Sequence, residues 1–275
     1  MVTDYSLPLF IEPDQVDTLL DDPQVILVDL CKPELYAQLH IPGAIQLPYS
    51  TLIAGTKPAP GLLPATERLM DLCRALGIRE HSTVIAYDDE GGGAAARLVW
   101  TLHVMGFFRA SVINGGIHAW ANEGHRLEQQ PAHPRNDGNL VYSGQPGPAL
   151  VNREYLLQHL DDGTIQLFDS RTQAEFNGTR AFAARGGHIP GALNLDWNDT
   201  KDQARNLRLK ADAELHGMLD RLGIDGSREI VTYCQTHHRS SHTYLMLLHL
   251  GFPRVSGYAG AWAEWGNDPS LPLEI

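Results

Sequence analysis

The sequence predicts an α/β fold made of two tandem copies of one domain, each a mainly parallel sheet flanked by helices. Two observations carry this expectation. The first is that the chain is written twice. Val25-Ile-Leu-Val-Asp-Leu30 returns as Ile165-Gln-Leu-Phe-Asp-Ser170, and His40-Ile-Pro-Gly-Ala44 as His188-Ile-Pro-Gly-Ala192. Val84-Ile-Ala-Tyr-Asp88 returns as Ile230-Val-Thr-Tyr-Cys234, Gly106-Phe107 as Gly251-Phe252, and Trp120 as Trp265. The offsets stay between 140 and 148 residues and the anchors keep their order, which is a domain-length period, too long for a solenoid repeat. The second observation is that short apolar, β-branched runs alternate with amphipathic stretches in each copy, as strands joined by crossover helices do.

Taken in order, residues 1–128 form the first domain, 129–150 a linker and 151–275 the second domain. The linker is placed on composition. Prolines 131, 134, 146 and 148 stand among Gly, Gln, Asn and Ser, which suits an extended, fairly stiff connector. In the second domain Ile165–Asp169 and Glu229–Tyr233 read as buried strands. Residues 211–222 carry apolar side chains at helical spacing and stop at Gly223, a helix C-cap. Residues 240–250 read as a helix ended by Gly251-Phe-Pro253. His40 and His188 precede Ile-Pro-Gly turns into short strands and are expected to be structural. Asp29 and Asp169 end strands and should bond loop amides.

Composition narrows the function. At 275 residues with 43% hydrophobic and 20% charged residues, the chain can bury two ordinary cores. No apolar run reaches the roughly 18 residues a bilayer span needs. The start Met1-Val-Thr-Asp-Tyr-Ser6 lacks a basic, apolar leader, so a cytoplasmic protein is expected. Three widely spaced cysteines, Cys31, Cys73 and Cys234, do not suggest a disulfide framework. The net charge of −12 speaks against nucleic acid and anionic membrane as partners. It also means that an anionic substrate would meet a repulsive field, which a short-range positive site must overcome. Residues 1–128 carry 8 basic and 16 acidic residues against 13 and 17 in the remainder, so most of the excess lies in the first half.

Chemistry concentrates in Cys234-Gln-Thr-His-His-Arg239, between a buried strand and a helix start, where ligands of open α/β sheets sit. Successive N–H groups in such a loop form an anion nest, and the helix directs its positive end at it. Arg239 adds a charge, with His237 and His238 as further titratable groups. All three effects lower a thiol pKa and favour the thiolate, the nucleophilic form. The same groups, Gln235, Thr236, His237, His238 and Arg239, would hold an anionic substrate, with Trp197 as a pocket wall or a core plug. The matching segment of the first half, Asp88-Asp-Glu-Gly-Gly-Gly93, has carboxylates and no sulfur, so that half is expected to do no chemistry and to cover the second domain. Four residues separate Cys234 from Arg239, a loop suited to a smaller reacting atom than phosphate.

These residues resemble the tandem-domain rhodaneses, the thiosulfate sulfurtransferases, over nearly the whole chain. The two His-Ile-Pro-Gly-Ala runs look like the family's first signature and Tyr258-Ala-Gly-Ala-Trp-Ala-Glu-Trp265 like its C-terminal one. The resemblance implies a double displacement. Cys234 takes the outer sulfur of thiosulfate as a persulfide and passes it to cyanide or another thiophilic acceptor, with no cofactor or metal. It implies a monomer whose halves pack together, with sulfur-relay proteins as conceivable acceptors. The loop matches neither the vertebrate type, Cys-Arg-Lys-Gly-Val-Thr, nor the mercaptopyruvate type beginning Cys-Gly-Ser-Gly, and is similar to a bacterial variant. Glu175 stands where the vertebrate enzymes have an anion-binding arginine. Arg239 favours thiosulfate; mercaptopyruvate or another donor, supplying sulfur to biosynthetic proteins, is the alternative.

Other readings are weaker. Zinc held by Cys234 with His237, His238 and His242 would require the loop to wrap tightly around the ion. A cysteine phosphatase or arsenate reductase calls for a longer loop, and a non-catalytic interaction module would not need an intact Cys234 segment. Cys31 and Cys73 are taken as structural. Arg171, Arg180 and Arg185 are expected at a cleft rim or on solvated surface, and Trp262 and Trp265 in the core.

Overall fold

The structure is a computed structural model describing residues 7–142 and 144–275; the leader reading at Met1–Ser6 and the linker residue Ser143 lie outside these. The chain divides into two compact units. One comprises the chain up to Leu52, Pro64–Gly147 and Asp202–Leu209; the other comprises Ile53–Leu63, Pro148–Lys201 and Lys210–Ile275. Each unit therefore takes one short segment from the opposite half of the sequence.

In the first unit, β1 (Phe10–Ile11), β2 (Val25–Asp29), β3 (Ile45–Gln46), β4 (Thr83–Tyr87) and β5 (Ala110–Ile113) form a sheet of order β1-β5-β4-β2-β3. In the second, β6 (Leu150–Val151), β7 (Ile165–Asp169), β8 (Leu193–Asn194), β11 (Glu229–Tyr233) and β12 (Val255–Tyr258) repeat it as β6-β12-β11-β7-β8. Two short strands, β9 (Lys201–Asp202) and β10 (Arg208–Leu209), lie outside these sheets. Every neighbouring pair in both sheets is parallel. The central strands are therefore buried on both faces, which is why they read as continuous apolar runs rather than alternating ones. Ile85 and Tyr87 in one sheet, and Val231 and Tyr233 in the other, are fully buried in the two cores.

The helices fall close to the expected places. The segment after β11 forms Arg239–His249, packed on β11 and β12, and residues 212–221 form another helix. Among the described residues no helix is long and apolar enough to cross a membrane. The proline-rich stretch after residue 128 makes no regular element, yet it is held by backbone bonds within the first unit. Gly138 donates to Arg74 O, Asn139 and Leu140 to Ile78 O, and Gly147 to Val104 O. A Cβ on Gly138 would come 2.3 Å from Cys73 O, so only glycine lets the two backbones approach there.

The repeated motifs close each unit in the same way. His40 and His188 pair with Glu128 and Glu274 across an antiparallel bridge. The amides of Gly43 and Gly191 donate to those two glutamate carboxylates at 2.6 and 3.0 Å. The strand-end Tyr87 and Tyr233 hydroxyls accept the Ile41 and Ile189 amides at 3.0 and 3.2 Å. Trp120 and Trp265 donate indole N–H to the Arg126 and Pro272 carbonyls. The repeated histidines, tyrosines and tryptophans thus serve closure of the fold, as expected for His40 and His188, with His40 Nδ1 also bonded to Tyr36 O at 2.7 Å.

Candidate active site

Cys234 follows the last residue of β11, and the helix Arg239–His249 begins five residues later. The loop's peptide planes are set from outside. Trp262 N–H donates to Cys234 O and Ala263 N–H to Gln235 O, both at 2.9 Å. With those carbonyls turned to the start of the helix Ala261–Trp265, the Thr236 N–H, on the opposite edge of the second plane, is left to the sulfur. Gly61 presses on the loop from another segment of the same unit: a Cβ there would lie 2.3 Å from Thr236 O.

The sulfur is nearly enclosed, with 1% of the residue exposed. Burial on its own would raise the thiol pKa. The charge of Arg239, the Ser240 hydroxyl and amide, and the Thr236 amide outweigh it and hold Cys234 below the ordinary thiol value. Ser240 Oγ also meets His237 Nδ1 at 2.7 Å. For the hydroxyl to donate to sulfur, His237 Nδ1 must carry the proton and donate to Ser240 Oγ. The 2.7 Å pairing also allows the opposite arrangement, in which Ser240 donates to Nδ1.

The six loop residues take distinct places. His237 is fully buried with φ 55°, a left-handed conformation rarely adopted by a side-chain-bearing residue, and its carbonyl accepts the Ser241 hydroxyl at 2.6 Å. Counted back by 146 residues it falls on Gly91, which has φ 91°, so both copies of the loop make the same turn. Gln235, Thr236, His238 and Arg239 are half-buried. Arg239 is bidentate to Glu175, Nη1 to Oε2 at 2.7 Å and Nη2 to Oε1 at 2.8 Å. Burial opposes ionisation of Glu175, yet Arg239 and the Thr172 cap hold its carboxyl down at about 2.

Trp197 is 7% exposed. Its ring meets the edges of His238 and His242 at 6.0 and 5.7 Å, and Lys201 Nζ sits 3.2 Å from its centroid. It thus adjoins the loop and also fills the core. His242 is driven down to about 3 by burial and by the Lys201 and His238 charges, and no group of three or more metal-ligating side chains occurs among the described residues.

The expectation for Arg171 needs correcting. It is neither rim nor solvated surface: it is 1% exposed, paired with Asp169 at 2.6 Å, and stacked 4.6 Å over Trp262. A buried guanidinium persists because the carboxylate and the Gly187 carbonyl satisfy it. Arg185 likewise donates to the Trp265 and Leu271 carbonyls, whereas Arg180 is exposed beside Phe182. Sequence reasoning missed Ser240. Its signal was its position in the first turn of the helix that follows the cysteine loop.

The first unit carries the same cradle, already filled. The Asp88 carboxylate, fully buried, accepts the amides of Glu90 at 3.1 Å, Gly92 at 2.8 Å and Ala95 at 2.9 Å. Ile117 N–H donates to Asp88 O, as Trp262 does to Cys234 O. Carboxylates at this position thus do not abolish the nest; one of them occupies it.

Comparison with known proteins agrees with this geometry. The Rhodanese-like domain matches residues 12–123 and again 152–268. The thiosulfate sulfurtransferase of Azotobacter vinelandii is 44% identical, covering 98% of both chains. The 3-mercaptopyruvate sulfurtransferase of Escherichia coli is 29% identical over 98% of this chain and 99% of its own. Among solved structures, the anaerobic ergothioneine biosynthesis enzyme from Chlorobium limicola, bound to trimethyl histidine, shares the fold at a TM-score of 0.85 and 22% identity, over 97% of this chain and 70% of that one. With the domain matched over both halves and a relative 44% identical along nearly its whole length, the chain belongs to the rhodanese family.

Proposed function

We propose that the protein is a thiosulfate sulfurtransferase working through a persulfide on Cys234. The observation that carries this reading is a cysteine held below its ordinary pKa by amides, a hydroxyl and a guanidinium at a strand-to-helix loop. The Cys234 thiolate attacks the outer sulfur of thiosulfate; the S–S bond breaks and sulfite leaves with the electron pair. The persulfide's terminal sulfur, now anionic, takes over the amide donors. Cyanide or another thiophile then attacks that sulfur, releases thiocyanate or its equivalent, and restores the thiolate. An enclosed sulfur suits a donor whose reactive atom projects singly, as the outer sulfur of thiosulfate does.

Gln235, Thr236, His237, His238 and Arg239 build the binding loop, and Trp197 its wall. Residues 1–128 form a non-catalytic domain, because Asp88 offers no sulfur and its carboxylate is already bonded by the loop amides. The acceptor in the cell is a small thiophile or the thiol of a relay protein. Three free, buried cysteines suit a reducing compartment, and we place the protein in the cytoplasm. The similarity to 3-mercaptopyruvate sulfurtransferase supports that donor as the second reading, less strongly than the relative of higher identity supports thiosulfate.

Incubation with thiosulfate should add about 32 Da to the intact protein, and cyanide should remove it. Absence of the adduct on the wild type, or its persistence on Cys234→Ser, would end the proposal.

A further inference from the structure

The site contains an ion pair that the sulfur chemistry does not call for. Glu175 is 3% exposed, and four hydrogen bonds fix its carboxylate: two from Arg239, and one each from the Thr172 amide at 3.2 Å and the Thr172 hydroxyl at 2.9 Å. It belongs to the short helix Gln173–Phe176, whose capping box turns the side chain back to its own N-cap. The first repeat provides an internal control. At the offset of 140 residues Glu175 corresponds to Leu35 in the helix Pro33–Gln38, and at the offset of 146 Arg239 corresponds to Gly93. That copy makes the same sheet order, the same loop turn and a filled nest with neither member of the pair. Both charges occur together only beside the cysteine, so the pair is not a requirement of the fold.

We propose that Glu175 is a positioning and specificity-determining residue which locks Arg239 at the loop and offsets part of its charge, so that the guanidinium acts on the Cys234 sulfur without standing as a free anchor for the anionic group of the donor. The inference rests on the sulfur-transfer reading of the same loop. Its chemical meaning is that a multiply charged donor is admitted for its projecting sulfur rather than for its charge, and that departing sulfite meets no unpaired guanidinium to retain it. Asp196 and Asp169 also face Arg239, and the buried Arg171, itself paired with Asp169, faces Glu175.

Two readouts separate this inference from the reading beneath it. The pH midpoint of Cys234 alkylation by iodoacetamide needs no sulfur donor; KM and kcat with thiosulfate and cyanide do. In Glu175→Gln the midpoint should move to lower pH and KM for thiosulfate should fall about fivefold, the effect of one unit charge at contact in a water-like dielectric. In Arg239→Gln the midpoint should rise, because an unopposed Glu175 carboxylate is left beside the sulfur. In the neutral pair Glu175→Gln/Arg239→Gln it should return most of the way to wild type, and this comparison stands even where Glu175→Gln alone fails to fold. Glu175→Asp should restore the wild-type profile in large part. An unmoved midpoint in folded Glu175→Gln, or a double variant that behaves like Arg239→Gln, overturns the inference while leaving sulfur loading untouched. Loss of sulfur loading in the wild type removes the proposed function and leaves the alkylation result standing.

Discussion

The three sulfurs sit in three different electrostatic environments although all are buried. Burial and the nearby carboxylates Asp29, Asp88 and Asp89 push the Cys31 thiol far up, and burial pushes Cys73 up to about 12. Cys234 is as deeply buried as either, but oriented dipoles and one guanidinium reverse the sign. A thiol held below its ordinary value gains thiolate as pH rises through that lower midpoint, whereas a raised thiol gains none near neutrality. Iodoacetamide on the folded protein should therefore label Cys234 with a midpoint below that of a free cysteine and leave Cys31 and Cys73 unlabelled. Peptide mass mapping after a short pulse at neutral pH checks this. Labelling of Cys73 ahead of Cys234 would contradict the geometry. Sequence adjacency had pointed to Arg239 as the free cation of the site. Its partner, Glu175, lies 64 residues away and is brought there by the strand-to-helix turn after β7.

The cysteine loop is an element that the fold makes twice. In both copies the residue after the central strand has its carbonyl bonded by the start of a following helix, and a left-handed residue, Gly91 or His237, lets the chain double back. What differs is the anion. Asp88 supplies its own carboxylate to three amides, while Cys234 supplies a thiol held below its ordinary pKa. If the carboxylate is what satisfies the first nest, Asp88→Asn should cost about 1–3 kcal/mol, because its amide N–H₂ would face a buried donor that loses its acceptor. Urea denaturation followed by far-UV circular dichroism measures the difference. A change below a few tenths of a kcal/mol would mean that water, rather than the carboxylate, satisfies those amides. The sequence reads His237 as a further titratable group of the binding loop. The structure places it inside the turn, since its backbone is committed to φ 55° and its ring to Ser240.

At the scale of the whole molecule a charge of −12 opposes any anionic donor. The dipoles and the paired guanidinium at Cys234 act over a few ångströms and do not reverse that field at a distance. Raising ionic strength from about 10 mM to about 150 mM shortens the screening length from roughly 30 Å to 8 Å, so kcat/KM for thiosulfate should increase. Stopped assays in a non-coordinating salt test this, and a decrease would place an uncompensated positive field at the entrance.

The sequence by itself determined the duplication, the α/β class and the two central strands, and it singled out the Cys234 loop and the lack of a matching thiol in the first copy. Each of these depends on local pattern or on self-similarity along the chain, and neither requires knowing which distant residues meet. Only the tertiary structure decided that Asp88 fills its nest, that Arg171 is buried against Asp169 and Trp262, and that Arg239 is paired with Glu175. Those outcomes depend on where burial removes water and on which opposite charge then lies within about 3 Å, and neither is written in the spacing of residues along the chain.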